Sequence, residues 1–271
     1  MDPLFVVAVV AVGFASGVLS GMFGVGGAVL TTPGLRFLGA TPIEAVGSTL
    51  PAILPGALSG AWHYRRAGLI DWSVALTSGG VGAGFAVAGA ELSDHVNAHY
   101  LMLLTAALLL YAGVRNTRAH VMASAPVAVP ATVGGPALDE PPEPVSHSAQ
   151  WMTYAVIGAG AGTLAGLLGV GGGLLLLPGY TVLLRLSPKR AVATSLVAVA
   201  MFSVPAMVTH AWLGHVNWTY ALLLTAGVVP GARLGARFTL TGSDARLRYL
   251  MGVFFTVLAI VYGGAELAAA F

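Results

Sequence analysis

Two things are scarce in this sequence. It has no cysteine, which excludes disulfides, thiolate metal centres and cysteine nucleophiles. Only 8% of its 271 residues are charged and 57% are hydrophobic, where an ordinary soluble domain carries about 25% charge. A surface with so little charge is not built for water. The G-x-x-x-x-G-K-[ST] loop that cradles ATP phosphates is missing, and so is the H-E-x-x-H pair of a helix-borne zinc hydrolase. Asp2 stands where a secretory signal would carry basic residues, so the first apolar stretch reads as part of the fold and not as a cleaved leader.

Long apolar runs fill the gap. They are long enough to cross a hydrocarbon layer of about 30 Å at roughly 1.5 Å per helical residue, which makes this an all-α polytopic membrane protein. Glycine is abundant, at 37 residues, and it is not scattered. Gly21 to Gly34 reads G-M-F-G-V-G-G-A-V-L-T-T-P-G, and Gly166 to Gly179 reads G-L-L-G-V-G-G-G-L-L-L-L-P-G. A motif that recurs at this length marks one structural unit made twice.

The rest of the chain aligns around these copies. Pro3 opens an apolar helix, capped by Asp2, that runs to about Phe23, and a short piece from Gly27 to about Leu38 follows the glycine turn. Thr41-Pro42-Ile43-Glu44 has the form of a capping box and starts a helix to about Tyr64; further spans are expected at Ile70–Glu91 and Val96–Val114. Residues 115–150 are rich in proline and acidic residues and read as a cytoplasmic linker. The second half then repeats the order, with Trp151–Leu168, Gly173–Arg185, a capped start at Ser187-Pro188, a span to about Ala211, Asn217–Phe238 and Arg246 to about Ala265. The expected units are therefore a first membrane repeat at 1–114 and a second at 151–271, each a Gly-rich hairpin plus three transmembrane helices.

Charge sets the orientation. If each hairpin returns to the side it left, one face receives Arg65, Arg66, Arg115, Arg118, Arg185, Lys189, Arg190, Arg237, Arg246 and Arg248, and the other only Arg36. By the positive-inside rule this favours two repeats of inverted topology, with the basic face cytoplasmic and both termini outside. Equivalent positions agree, since Glu44 aligns with Arg190 and Glu91 with Arg237. Charge counting leaves open whether the hairpins dip in and return or cross twice.

Turns rich in glycine let a backbone approach a ligand closely and aim amide N–H groups from a helix start, which suits an anion. The expected substrate site is therefore Gly24, Val25, Gly26 and Gly27 with Gly169, Val170, Gly171, Gly172 and Gly173. The hydroxyls of Ser48, Thr49, Thr194 and Ser195, at equivalent places in the two halves, would add hydrogen bonds. The same glycines also suit close helix crossings, and these hydroxyls also suit bonds to their own helix carbonyls. Arg233 lies inside an apolar span, where an ionisable side chain is functional by default, or it snorkels to the interface. His63 and His210, near helix ends, are candidates to carry a proton or pair with the anion. His95 and His99 have the spacing of two metal ligands on one helix face, but with only Asp94 nearby no metal is expected. No cofactor and no nucleic acid is expected either; the partners are the lipid bilayer and a small anion, and a homo-oligomer is left open.

The two glycine motifs with Pro33 and Pro178, the Gly68-Leu-Ile-Asp-Trp72 run and Pro230-Gly-Ala-Arg-Leu-Gly-Ala-Arg237 resemble the TauE/SafE family of sulfite and organosulfonate exporters. The resemblance covers both halves and not the linker. It implies a secondary transporter that exports small sulfur-containing anions across the inner membrane by alternating access. An anion channel, an importer of another small anion and, at greater distance, an intramembrane enzyme using Ser20 or Ser59 stand as alternatives.

Overall fold

The computed structural model describes residues 3–93, 95, 100, 103, 106, 107, 110, 111, 113–115, 117, 147–169 and 171–270. Asp2, Asp94, His99, Val170 and much of the expected Val96–Val114 span lie outside them, as does most of the 115–150 linker. All regular structure among the described residues is helical. The first half carries α1 (Pro3–Phe23), α2 (Ala28–Phe37), α3 (Pro42–Arg66) and α4 (Trp72–Ser93). The second carries α5 (His147–Leu168), α6 (Gly173–Pro178) continued by a π turn (Gly179–Leu183), α7 (Pro188–Trp212), α8 (Trp218–Thr241) and α9 (Asp244–Ala270). Four segments, Pro3–Phe23, Trp72–Ser93, Gln150–Leu168 and Pro188–Trp212, are long and apolar enough to cross a membrane.

Local chemistry starts these helices where the sequence says. Thr41 Oγ1 accepts the Glu44 N–H at 3.4 Å while the Thr41 N–H donates to Glu44 Oε2 at 3.1 Å, a closed capping box that satisfies two orphan donors of α3. Asp71 Oδ1 accepts the Val74 N–H at the start of α4, and Asn217 Oδ1 accepts those of Thr219 and Tyr220 at the start of α8. Ser187 occupies the cap position of α7 but makes no side-chain cap bond there, so Pro188 at the first turn carries that boundary. Helix α5 begins at His147, ahead of the expected Trp151, and takes the end of the linker into the helix.

One element departs from the expected helix over Gly173–Arg185. Pro33 and Pro42 are separated by one residue fewer than Pro178 and Pro188, and the π turn sits inside that longer interval. Its Leu184 N–H reaches back five residues to Gly179 O at 3.4 Å. A π turn absorbs one inserted residue without re-phasing what flanks it; the second copy accommodates its extra residue this way.

Packing is reciprocal between the halves. Helix α1 lies along α8 and α4 along α5, while α3 and α7 occupy the centre, touching each other as well as α8 and α4. Gly13, Gly17 and Gly21 of α1 meet the backbone of Leu224, Val228 and Ala232 on α8. Gly158, Gly162 and Gly166 of α5 meet Ser78, Gly82 and Ala86 on α4. These are the same contacts made twice by equivalent residues. A Cβ at Gly13 would stand 2.6 Å from the Leu224 carbonyl oxygen, so the close crossing requires glycine there, as small-residue stripes do between membrane helices. Gly113 and Gly252 meet Thr256 and Thr117, so Gly113 and Thr117 pack on α9. The outer surface stays apolar, with Leu4, Val7, Leu222 and Trp212 well exposed.

Candidate functional site

Each half turns its chain at glycine. Gly24, Gly26 and Gly27 have φ of 66°, 87° and 83°, and Gly169, Gly171 and Gly172 have 62°, 74° and 66°, all in the left-handed region where a side chain is strained. The first turn breaks the chain between α1 and α2, the second between α5 and α6. Both are buried, and they meet: a Cβ on Gly26 would lie 3.5 Å from Gly171 Cα, and one on Gly171 would lie 3.5 Å from Gly26 Cα. Ile53 of α3 and Val199 of α7, themselves equivalent residues, flank the meeting point. Val170 lies outside the described residues.

The turns differ where Ala28 of the first copy faces Gly173 of the second. A Cβ on Gly173 would stand 2.6 Å from Gly24 O, so the missing methyl lets the start of α6 lie directly on the backbone of the first turn. The amides of Gly26, Gly27 and Ala28 have no acceptor among the described residues, as expected of donors at a helix start. Beside this turn Ser20, Phe23, Gly27 and Phe255 line a cavity of about 10 Å³, room for about one water. Among the described residues the buried Ser20 hydroxyl has no partner there.

The four hydroxyls named from the sequence are all fully buried around the turns, and each has a protein partner. Ser48 Oγ accepts the Asn217 N–H at 2.8 Å, and Thr194 Oγ1 accepts the Asp71 N–H at 3.1 Å. These are equivalent bonds, each pinning the start of a helix from the other half. Ser195 Oγ reaches Gly24 O at 2.9 Å and Val192 O at 3.0 Å, clasping the first turn to α7. Thr49 Oγ1 donates to Ala45 O of its own helix at 2.7 Å. Asp71 also faces Arg190 across 3.8 Å.

Arg233 is not brought to the turns. It lies on the exposed side of α8, where its Nε donates to Ser59 Oγ at 3.1 Å. His63 is half-buried, its Nδ1 bonded to Ser59 O at 3.1 Å. His210 is fully buried. Its Nε2 donates to Gly166 O at 2.9 Å and its Nδ1 lies 3.0 Å from Nδ1 of His215. His63 and His210 stand one aligned position apart. The alignment that carries Asp71 onto Asn217 places Tyr64 opposite His210, and Tyr64 Oη donates to Gly21 O at 2.7 Å, the counterpart of the His210 bond. His215 carried no sequence signal of its own beyond its place in the Gly-x-x-x-Trp repeat.

The family described as Sulfite exporter TauE/SafE matches this chain over residues 9–262. The chain belongs to the TauE/SafE family. Among curated relatives, the probable membrane transporter protein YunE of Bacillus subtilis (strain 168) is 32% identical over 250 residues, spanning 86% of this chain and 87% of that protein. A probable membrane transporter protein of Xylella fastidiosa (strain Temecula1 / ATCC 700964) is 28% identical over 92% of this chain and 90% of its own. The probable membrane transporter protein MJ0441 of Methanocaldococcus jannaschii is 21% identical, over 92% of both. No solved structure matches. This TauE/SafE chain is thus a membrane transporter and not an enzyme.

Proposed function

We propose that this chain is a secondary transporter that exports sulfite or short organosulfonates across the inner membrane by alternating access. Its two halves, 1–114 and 151–271, are inverted repeats joined by a cytoplasmic linker at 115–150, with both termini outside. The observation that carries the reading is the meeting of the two glycine turns at Gly26 and Gly171. Hairpins that enter from opposite faces and touch tip to tip define a midplane point that each side can reach in turn. The reciprocal Ser48–Asn217 and Thr194–Asp71 bonds and the one-sided arginine distribution support inversion.

The ligand sits at the turns when the tips part. Amide donors at the start of α2 bind an oxyanion without placing a formal charge in the membrane. In the described arrangement the tips are closed on each other at Gly26 and Gly171, which fits an occluded state. An inside-negative potential favours anion exit.

Counterflow in proteoliposomes preloaded with unlabelled sulfite, sulfoacetate or taurine tests this. Transient accumulation of the labelled compound above equilibrium is expected. Equilibration without overshoot would indicate a channel, and no flux of any of the three would end the sulfur-anion reading.

A further inference from the structure

In the last turn of each helix that precedes a glycine turn, equivalent glycine carbonyls are held from outside by buried side chains, with Thr239 Oγ1 also reaching Met22 O in the first. Gly21 O accepts from the Tyr64 hydroxyl, and Gly166 O accepts from His210 Nε2. The two clasps are equivalent in position and different in chemistry. A phenol with an ordinary pKa near 10 stays a donor throughout the physiological range. An imidazole changes charge between about pH 5 and 8.

His210 is also coupled to a second imidazole, which the first half lacks. His215 stands where the first half has Leu69, and the two rings approach at 3.0 Å through their Nδ1 atoms. Because a carbonyl only accepts, His210 Nε2 carries its hydrogen, so in the neutral pair His210 Nδ1 is the acceptor and His215 Nδ1 the donor. Both rings are buried, His210 at 0% and His215 at 8% exposure. A second added proton would set two like charges about 3 Å apart at their nearest nitrogens, which opposes it. The pair therefore has room for one added proton, its charge shared through the facing Nδ1 atoms.

We infer that the His210–His215 pair is the coupling-proton site of the transporter, an inference that rests on the secondary-transport reading above. Protonation converts the bond to Gly166 O into a charge-assisted one, roughly twice as strong as a neutral hydrogen bond, and puts positive charge at the C-terminal end of α5, where the helix dipole favours it. Proton binding tightens the clasp on the second hairpin alone, while Tyr64 holds the first at constant strength. The pair also reaches the other half. A Cβ on Gly47 would lie 2.5 Å from His215 O, next to Ser48, which takes the Asn217 N–H.

Among the described residues, charged groups on the packed elements are few. Glu44 stands one turn before Gly47 on α3 and is engaged by Thr41, and Glu91 follows Ala90, whose N lies 2.6 Å from a Cβ built on Gly166. Helix α5 contributes Tyr154 at its far end, α8 has no charge before Arg233, and Lys189 and Arg190 lie at the opposite end of α7.

The test uses the full chain in proteoliposomes. Exchange of labelled sulfite at equal pH reads the carrier, and accumulation driven by an imposed pH gradient reads the coupling. Wild type and His95→Gln are expected to accumulate under the gradient. His210→Gln, which keeps a donor but takes no proton, is expected to lose gradient-driven accumulation at least tenfold while still exchanging at fixed pH. His210→Tyr, which copies Tyr64, is expected to behave like it; if the hydrogen bond alone mattered, this variant would restore coupling. Gradient-driven accumulation by either variant, or a wild type that exchanges but ignores the gradient, overturns the proton site and leaves the carrier. If no sulfur anion exchanges, the function reading fails instead. The site is then judged by 15N imidazole resonances of the purified protein between pH 5 and 8, where His210 and His215 ring nitrogens that shift together in one step support it and a wild-type pair that does not titrate overturns it.

Discussion

Ser48 and Thr194, candidate ligand hydroxyls in the sequence, each accept a backbone N–H at the start of a helix from the other half. Removing an acceptor from a buried N–H costs about 1–3 kcal/mol. Ser48→Ala and Thr194→Val are therefore each expected to lower the thermal midpoint in detergent by a similar amount, because the two bonds are equivalent. Unchanged midpoints would mean that water replaces the hydroxyls. Gly173→Ala makes a different demand. Its methyl would stand 2.6 Å from Gly24 O, so the first turn must retreat, and overpacking of this kind costs about 1–3 kcal/mol. The expected outcome is reduced transport together with a lower midpoint, whereas Gly68→Ala, with nothing within 4 Å of its Cβ, keeps transport while straining its φ of 68°.

At the scale of elements, the boundaries were legible wherever a residue acts locally. Pro3, the Thr41–Glu44 box and Asn217 fix helix starts by their own chemistry, so pattern and structure agree at α1, α3 and α8. The π turn was not read, although its trace was in the sequence as one extra residue between Pro178 and Pro188; spacing reveals an insertion but not how the backbone absorbs it. Tyr64 aligns with His210, but the two clasps share a hydrogen bond rather than a side chain, so residue type does not reveal them. Arg233 looked central by hydropathy, which counts depth along a helix and is blind to which side of it faces out. Deleting Thr181 is expected to convert the π turn to α-helix and leave a monodisperse protein, since α6 and α7 keep their phase. Deleting Ala198, fully buried within α7, rotates every later residue of that helix by about 100° at 3.6 residues per turn and is expected to abolish folding, as size-exclusion profiles would reveal.

For the whole molecule, the proposed inversion makes a prediction the cysteine-free background suits. Single cysteines at exposed Arg65 and Glu91 are expected to react with an impermeant maleimide from opposite sides, Arg65→Cys only after the cytoplasmic face is opened and Glu91→Cys in intact cells. Labelling of both from one side would rule out the proposed orientation. The repeat itself was legible from eight shared residues in fourteen, because a turn that tolerates only glycine leaves little freedom to drift. Which helix would lie on which was not, since small-residue stripes on α1, α4, α5 and α8 say that a partner comes close without naming it.

That pairing has a consequence in time. Helix α1 finds its main neighbour in α8 of the other half, and α4 finds its own in α5. Synthesis at about 5–20 residues per second leaves α1 waiting on the order of 10–40 s for α8 to emerge. During that interval its glycine stripe faces lipid or whatever holds nascent chains at the membrane. The first half is not a finished module that the second joins; the protein becomes one folded object only once the second half has followed it out of the ribosome.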